Sequence, residues 1–381
     1  VFQTSYIELS QSALEENYKF LQSVVGEQTL ISTVIKGNAY GHGIVDLVPM
    51  AIKAGQTHFS VFSADEARLC REVAPFAEIM IMGMLDNEEL EWAITNYIQF
   101  YIFEVDRLEI ALKIAKKLKQ PAQIHIELET GMNRTGLRKK EVLKIIELLN
   151  QNENYILKGI CTHFAGAESI GNYVRIQEQI KSFKKQRKQL AKEGLIAERY
   201  HLASSAATLS YPKTQMDMVR IGILNYGFWP STETFIHFVK DKLDRTDPLR
   251  RILSWKSKVM STKTVETGEF IGYGTTYMAR ENMKIATVPV GYSHGYSRSL
   301  SNQGRVLVNG ERVSVVGIVN MNMMVLDITD IPDTKKGDEV VLIGDQGDYS
   351  ISVSSFSELS DQLNYELLTR LPHNIPRKVI K

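Results

Sequence analysis

The chain of 381 residues is 44% hydrophobic and 23% charged, with 45 Lys plus Arg against 44 Asp plus Glu and a formal net charge of +1. That balance excludes a polyanion binder, because nucleic-acid and membrane-surface proteins carry a basic excess, and no run of about 18 apolar residues is present to span a bilayer. Cys70 and Cys161 are too few for a disulfide framework or a cysteine-based zinc site, and Val1 to Leu21 lacks a leader pattern. A soluble globular chain of a reducing, cytoplasmic compartment is expected.

At roughly 100–200 residues per domain the length suggests two or three domains, or one large barrel with an appendage. From Leu30 to about Gly227 short apolar runs alternate with amphipathic stretches. The runs Leu30–Val34, His58–Phe62, Glu78–Met82, Gln99–Phe103, Gln123–Leu128, Leu157–His163, Arg199–Ala203 and Met218–Asn225 read as buried strands. Helical periods fall at Asp65 to Val73, Asn87 to Thr95, Arg107 to Leu118, Lys139 to Leu149 and Asn172 to Leu190, with Asp65, Asn87 and Asp106 placed to cap three of them. Eight strands alternating with helices over about 200 residues predict an α/β fold, a (β/α)8 TIM-like barrel. A dinucleotide-binding open sheet would place Gly-x-Gly-x-x-Gly after the first strand, and none stands there.

After Pro230 the texture changes. Residues 231–251 are polar and charged and read as a connector. Ser254–Val265, Lys284–Val290, Arg305–Val308, Arg312–Val319, Met324–Ile328 and Glu339–Ile343 follow as strands without intervening helices, and Asn309-Gly310 is a hairpin signal. The tail from Val353 to Arg370 returns to a helical pattern. The expected division is a barrel over 1–235 and a mostly antiparallel β domain over 236–381.

Barrel enzymes keep their chemistry at the C-terminal ends of the strands. Lys36 stands there after the first strand, where burial of its stem would lower its pKa and make the amine a nucleophile. Taken alone, it reads equally as a surface lysine before a glycine turn. Its setting decides: Lys36-Gly37-Asn38-Ala39-Tyr40-Gly41-His42-Gly43 resembles the cofactor-lysine motif of the alanine racemases, barrel enzymes dependent on pyridoxal 5'-phosphate (PLP). Thr130-Gly131-Met132-Asn133-Arg134-Thr135-Gly136, Thr162-His163-Phe164-Ala165, Ser205-Ala206-Ala207 and Arg220-Ile221-Gly222-Ile223 with Tyr226-Gly227 and Pro230-Ser231 match further motifs of that family in order. Gly272-Tyr273-Gly274-Thr275-Thr276-Tyr277, Pro289-Val290-Gly291-Tyr292 and Val319-Asn320-Met321-Asn322 extend the resemblance through the second domain.

The resemblance implies racemisation of L- and D-alanine for peptidoglycan precursors by two bases on opposite faces of PLP. Lys36 is implied as the Schiff-base lysine and base for the D-isomer, and Tyr273 as the base for the L-isomer. In the family that tyrosine comes from the partner subunit, so a homodimer with shared sites is implied. A phenol serves as base only where cationic neighbours lower its pKa. Arg220 resembles the arginine facing the pyridine nitrogen, and, unable to accept a proton, it would restrain transamination. His163 resembles a residue beside the cofactor ring. Tyr40, Ser205, Gly222 and Ile223 match phosphate-binding positions, Arg134 and Met321 substrate-carboxylate contacts, and Tyr292 the access corridor. Cys161 reads as buried filler, and no metal is implied.

Three positions depart from the family pattern. Glu127 stands where many members carry a carbamate-modified lysine, and would orient Arg134 with a permanent carboxylate unless it turns away from the pocket. Asn320-Met321-Asn322 lacks an acidic residue at the rim. Pro372-His373-Asn374 replaces a tyrosine that contacts phosphate and substrate, which leaves room for a hydroxymethyl side chain. Serine/alanine racemases of glycopeptide resistance, which follow a membrane-embedded domain, are therefore the second reading, and the start at Val1 suits them. A same-fold decarboxylase would want an acid in place of Arg220 and a cysteine after Cys161. A non-catalytic PLP carrier would lack the second domain.

Overall fold

The computed structural model describes residues 3–354, 356 and 364–381. Its strands in chain order are β1 (Ser5–Ser10), β2 (Leu30–Val34), β3 (His58–Val61), β4 (Glu78–Ile81), β5 (Gln99–Ile102), β6 (Ala122–Glu127), β7 (Tyr155–Cys161), β8 (Arg199–His201), β9 (Met218–Ile221), β10 (Leu253–Lys258), β11 (Ser261–Val265), β12 (Met283–Val288), β13 (Arg305–Val308), β14 (Glu311–Val316), β15 (Met324–Asp327), β16 (Glu339–Gln346), β17 (Tyr349–Ile351) and β18 (Arg377–Ile380). They form two sheets in two compact units, neither of which is a single stretch of chain. One unit holds Ala13–Lys36 and Val48–Arg250, the other Val1–Ser12, Gly37–Leu47 and Arg251–Lys381. The boundary expected at 235/236 is a single cut of the chain. Packing draws it differently, because β1 pairs with β10 and β18.

The first unit is the expected barrel. Its eight strands run parallel in the order β8-β7-β6-β5-β4-β3-β2-β9, and a bridge between Ser204 and Arg220 nearly closes the ring. Strands covered on both faces by the barrel interior and the helices are shielded throughout, and β3 and β5 are buried at every position, their polar His58, Ser60 and Gln99 included. Each intervening helix buries one face. The helix Val105–Leu118, for example, turns Leu108, Ala111, Leu112 and Ala115 inward at helical spacing.

Several local expectations need correction. The caps are not Asp65, Asn87 and Asp106. Ser63 accepts from the Glu66 amide and Asp86 closes a capping box with Glu89, while the third helix begins after Glu104 with no side-chain cap. The eighth barrel strand ends at Ile221 and turns into a 3-10 segment at Ile223–Tyr226, because Gly222 breaks the extended backbone. The polar connector contains a helix at Thr232–Val239, capped by the Ser231 hydroxyl. Of the helical tail, Asn364–Thr369 is a helix and residues 355 and 357–363 lie outside the described residues.

The second unit is mostly antiparallel, in the order β11-β12-β15-β14-β13-β16-β10-β1-β18, with β17 beside β16. The expected long strand from Ser254 to Val265 is two strands, since the chain leaves one neighbour for another at Val259 and Met260. Trp255 and Tyr296 are its largest buried side chains. Among the described residues no helix is long and apolar enough to cross a membrane.

Candidate active site

All the barrel candidates gather at one end. Lys36 follows β2, Arg134 follows β6, His163 follows β7, Ser205 opens the helix Ser205–Ser210 after β8, and Arg220 lies in β9 just before Gly222 and Ile223. This is the C-terminal rim, where parallel strands leave loops free to carry side chains.

Lys36 is exposed as a residue, yet protein crowds its amine. That crowding, then the positive charge of Arg134 and in smaller measure Arg220, holds its pKa below the ordinary lysine value, with Glu66 opposing. A lowered pKa leaves more free amine at neutral pH, which is what a nucleophile or base requires. His163 is pushed down to about 3 by burial and by Arg220, Arg134 and Lys36, so its imidazole is neutral and can accept but adds no charge.

Arg220 is only 5% exposed, and its guanidinium is nearly saturated. One terminal nitrogen donates to the His201 carbonyl at 2.8 Å and to His201 Nδ1 at 2.6 Å; the other donates to the Thr162 and Leu202 carbonyls at 2.8 and 3.2 Å and lies 3.4 Å from His163 Nδ1. Only Nε–H has no partner among the described residues. That N–H is left to donate to a bound acceptor. Ser205 accepts from the Gly222 amide at 2.9 Å, which leaves its hydroxyl hydrogen to donate elsewhere, and Ile223 opens a 3-10 turn whose first amides have no acceptor within the turn.

Glu127 does not turn away from the pocket. It is 5% exposed at the end of β6, accepts from Thr135 and sits near Arg220 and Arg134. Burial raises its pKa, against the opposing pull of Thr135 and the two arginines. Cys161 and Tyr101 are both buried. His201, which orients Arg220, was not legible as a site residue. A lone histidine ending a three-residue strand carries no signal until the barrel brings it to Arg220.

The other candidates lie in the second unit. Gly37, Asn38, Ala39, Tyr40 and Gly41 have φ of 64°, 52°, 54°, 52° and 80°, a full left-handed turn. Non-glycine residues resist that conformation at about 1–2 kcal/mol each, so other contacts must hold it. The Asn38 side chain accepts from the Ile44 amide at 3.0 Å, and His42 Nδ1 donates to the carbonyls of Ala39 and Tyr40 at 2.9 and 3.0 Å. A side chain at Gly41 would collide with the Leu368 carbonyl, so only glycine fits there. Burial raises the Tyr40 pKa to about 12, so its phenol keeps its proton and can donate.

Tyr273 stands between Gly272 and Gly274, both at positive φ, and is 72% exposed. Tyr292 and Met321 are adjacent: the Tyr292 amide donates to the Asn320 carbonyl at 3.0 Å and the Ser293 hydroxyl to the Met321 carbonyl at 2.7 Å. Asn322 donates to Ser293 at 3.0 Å, a bond an acid at that position could not give. His373 and Asn374 are exposed.

The barrel rim thus presents an amine of lowered pKa, the Arg134 and Arg220 guanidinium groups, the Glu127 carboxyl and an Arg220 Nε–H without a partner among the described residues. This donor set suits an anionic aldehyde with a ring nitrogen that accepts, and a substrate carboxylate.

Two family profiles match the chain: "Alanine racemase, N-terminal domain" over residues 9–230 and "Alanine racemase, C-terminal domain" over residues 252–379. The alanine racemase of Halothermothrix orenii is 34% identical over 377 residues, covering 98% of this chain and 96% of the relative. Alanine racemase 2 of Bacillus subtilis is 33% identical over 383 residues, covering 99% and 94%. Among solved structures, alanine racemase of Clostridium difficile 630 superposes with a TM-score of 0.91 at 30% identity, covering 100% and 96%. The Bacillus anthracis alanine racemase with bound L-Ala-P gives 0.90 at 32%, again covering 100% and 96%.

Proposed function

The chain belongs to the alanine racemase family, and from that premise we propose that it is a PLP-dependent isomerase that interconverts L- and D-alanine. The observation that carries this reading is the pairing of a lowered-pKa Lys36 with an Arg220 that can only donate. When bound, PLP supplies an electron sink that makes the alanine Cα proton removable.

The chain's own residues then have separable tasks. Lys36 would hold the cofactor aldehyde and, once released, take or return a proton at Cα on its own face. Tyr273, exposed between two glycines, would do the same on the other face. We place it in the partner's site, so that a homodimer completes both active sites. Arg220 Nε–H would donate to the pyridine nitrogen. Because a guanidinium cannot give up a proton at neutral pH, that nitrogen would stay unprotonated and the sink shallow, which favours return of the proton to Cα. Tyr40, Ser205, Gly222 and Ile223 would hold the phosphate, with His163 beside the ring. Arg134 and Met321 would hold the substrate carboxylate, Arg134 braced by Glu127, and Tyr292 would line the access corridor.

Serine as the main substrate is not favoured. Asn322, His373 and Asn374, whose identities suggested it, are exposed, and the relatives compared are named alanine racemases. A carrier without the second domain does not fit a chain matching the C-terminal profile over 252–379. The test is the absorbance spectrum of the purified protein together with alanine interconversion. A visible cofactor band and racemase activity, both lost in Lys36→Ala, are expected. A colourless protein unchanged by added PLP would overturn the reading.

A further inference from the structure

Behind Arg220 a line of polar side chains crosses the barrel, beside a second buried polar group made of His58, Ser32 and Ser60. His201 Nε2 lies 2.9 Å from His125 Nδ1, His125 Nε2 lies 2.7 Å from Gln99 Oε1, and Gln99 Nε2 lies 2.7 Å from Glu78 Oε2. Glu78 accepts two bonds from Arg199, at 2.7 and 3.0 Å. His201, His125 and Gln99 are buried, whereas Glu78 and Arg199 begin β4 and β8, at the end of the barrel opposite Lys36.

The two ends of this line fix its direction. A guanidinium only donates, so His201 must offer Arg220 a bare Nδ1 and carry its proton on Nε2. At the far end burial would raise the Glu78 pKa, but the Arg199 hydrogen bond and the neighbouring His58 and Gln99 bring it down to about 2, so Glu78 is a carboxylate and only accepts. Gln99 therefore turns its amide NH2 to Glu78 and its oxygen to His125, which must carry its proton on Nε2 and leave Nδ1 bare. Every bond then donates the same way, from Arg220 to Glu78. Neither imidazole can take a second proton without opposing two donors, and burial with nearby cations lowers both pKa values further. Such a one-way chain polarises each of its members.

We propose that Glu78, Gln99 and His125 are positioning residues that act through His201 on Arg220, by fixing one donor direction along the whole chain. A carboxylate at the closed end of the barrel thereby keeps the Arg220 guanidinium docked on His201, with Nε–H as the donor left over. The consequence for catalysis rests on the reading of Arg220 given above, whereas the chain itself does not.

The first test needs no cofactor. Nitrogen-15 NMR of imidazole-labelled protein should show His125 and His201 as neutral Nε2–H tautomers from about pH 8 to pH 5. Nδ1–H or cationic rings in that range would overturn the proposal. The second test removes the acceptor. In Glu78→Met, Arg199 is left to donate to Gln99 Oε1, which turns the amide round and makes His125 Nε2 an acceptor. The His125 proton should move to Nδ1, and racemase kcat per bound cofactor should fall roughly tenfold with little change in KM. In Glu78→Met/Arg199→Met both charges are gone, Arg220 alone sets the direction, and tautomer and kcat should return together. A tautomer shift with unchanged kcat would overturn the positioning role while leaving the racemase reading intact. Wild-type tautomers as stated in a protein without racemase activity would instead overturn the racemase reading.

Discussion

The Arg377 guanidinium donates to the Gly41 carbonyl at 2.8 Å, across 336 residues of chain. The same side chain donates to the Pro372 and His373 carbonyls, each at 2.9 Å, and so ties the C-terminal loop to the left-handed turn that begins one residue after Lys36. That turn is held against its intrinsic preference, and Arg377 is one of its few external fastenings.

Replacing Arg377 by Met keeps the stem and deletes these bonds. About 1 kcal/mol of stability should be lost, because the part-buried Gly41 and Pro372 carbonyls are left without these donors. PLP affinity should fall as well, since Tyr40 lies in the same turn. Urea unfolding and cofactor titration of the variant check both. A weaker fold with unaltered PLP binding would show that the turn is not what presents Tyr40.

Glu127 provides a second prediction. A carboxylate beside Arg134 and Arg220 matters for substrate binding more than for proton transfer, so Glu127→Gln should raise KM for alanine several-fold and leave kcat within about threefold. Activity should be the same in carbon-dioxide-free buffer, since Glu127 needs no modification to carry charge. The raised Glu127 pKa means that this negative charge is lost as pH falls, so KM should climb on the acid side in the wild type and stay flatter in Glu127→Gln. Unchanged KM in Glu127→Ala would remove Glu127 from the substrate site.

How far the sequence revealed these features depended on how local their causes are. Strands such as β2, β4 and β9 are legible because a strand buried on both faces writes itself as a largely apolar run. The strand β1 was missed: Ser5–Ser10 alternates buried and half-buried positions, but its partners lie near residues 255 and 378. The motif around Lys36 marked a site without disclosing a left-handed turn. Asn38, Ala39 and Tyr40 hold that conformation through the Asn38 and His42 side-chain bonds together with the distant Arg377 bond to Gly41. The His125–His201 pair was invisible for a related reason. Each residue sits alone in an apolar run, and only the closed ring of strands makes them neighbours.

The buried histidines predict acid sensitivity. His42 and His58 fall from the ordinary 6.5 to about 4, chiefly through burial, and burial likewise holds His125 and His201 well below the ordinary value. A folded pKa below the unfolded one means that the unfolded chain binds more protons between the two values. The contribution is therefore complete above pH 6.5 and is lost as pH falls toward 4. Each such histidine costs about 1.4 kcal/mol per pH unit in that window. Thermal midpoints should hold nearly level from pH 8 to 7 and drop steeply between about pH 6 and 5. A level midpoint across that second interval would mean that these rings are not buried neutral.

Tyr273 allows the sharpest division of labour to be tested. If Lys36 and Tyr273 serve opposite faces, Tyr273→Phe should abolish interconversion by more than about a hundredfold while one half-reaction survives. In deuterated water the variant should still exchange the Cα proton of D-alanine, where Lys36 acts, and fail to exchange that of L-alanine. Lys36→Ala is no mirror control, because it also removes the covalent anchor of the cofactor, so the direction of exchange in Tyr273→Phe has to decide. Equal loss of exchange from both isomers would make Tyr273 a contributor to assembly or binding. Because that tyrosine is 72% exposed within its own chain, mixing Tyr273→Phe subunits with Lys36→Ala subunits supplies a complementary check. If each subunit's Tyr273 serves the partner's Lys36, a mixed dimer has one site with both substitutions and one with neither, so up to half of the dimers should regain wild-type activity at one site. Sites built within a single chain would regain none.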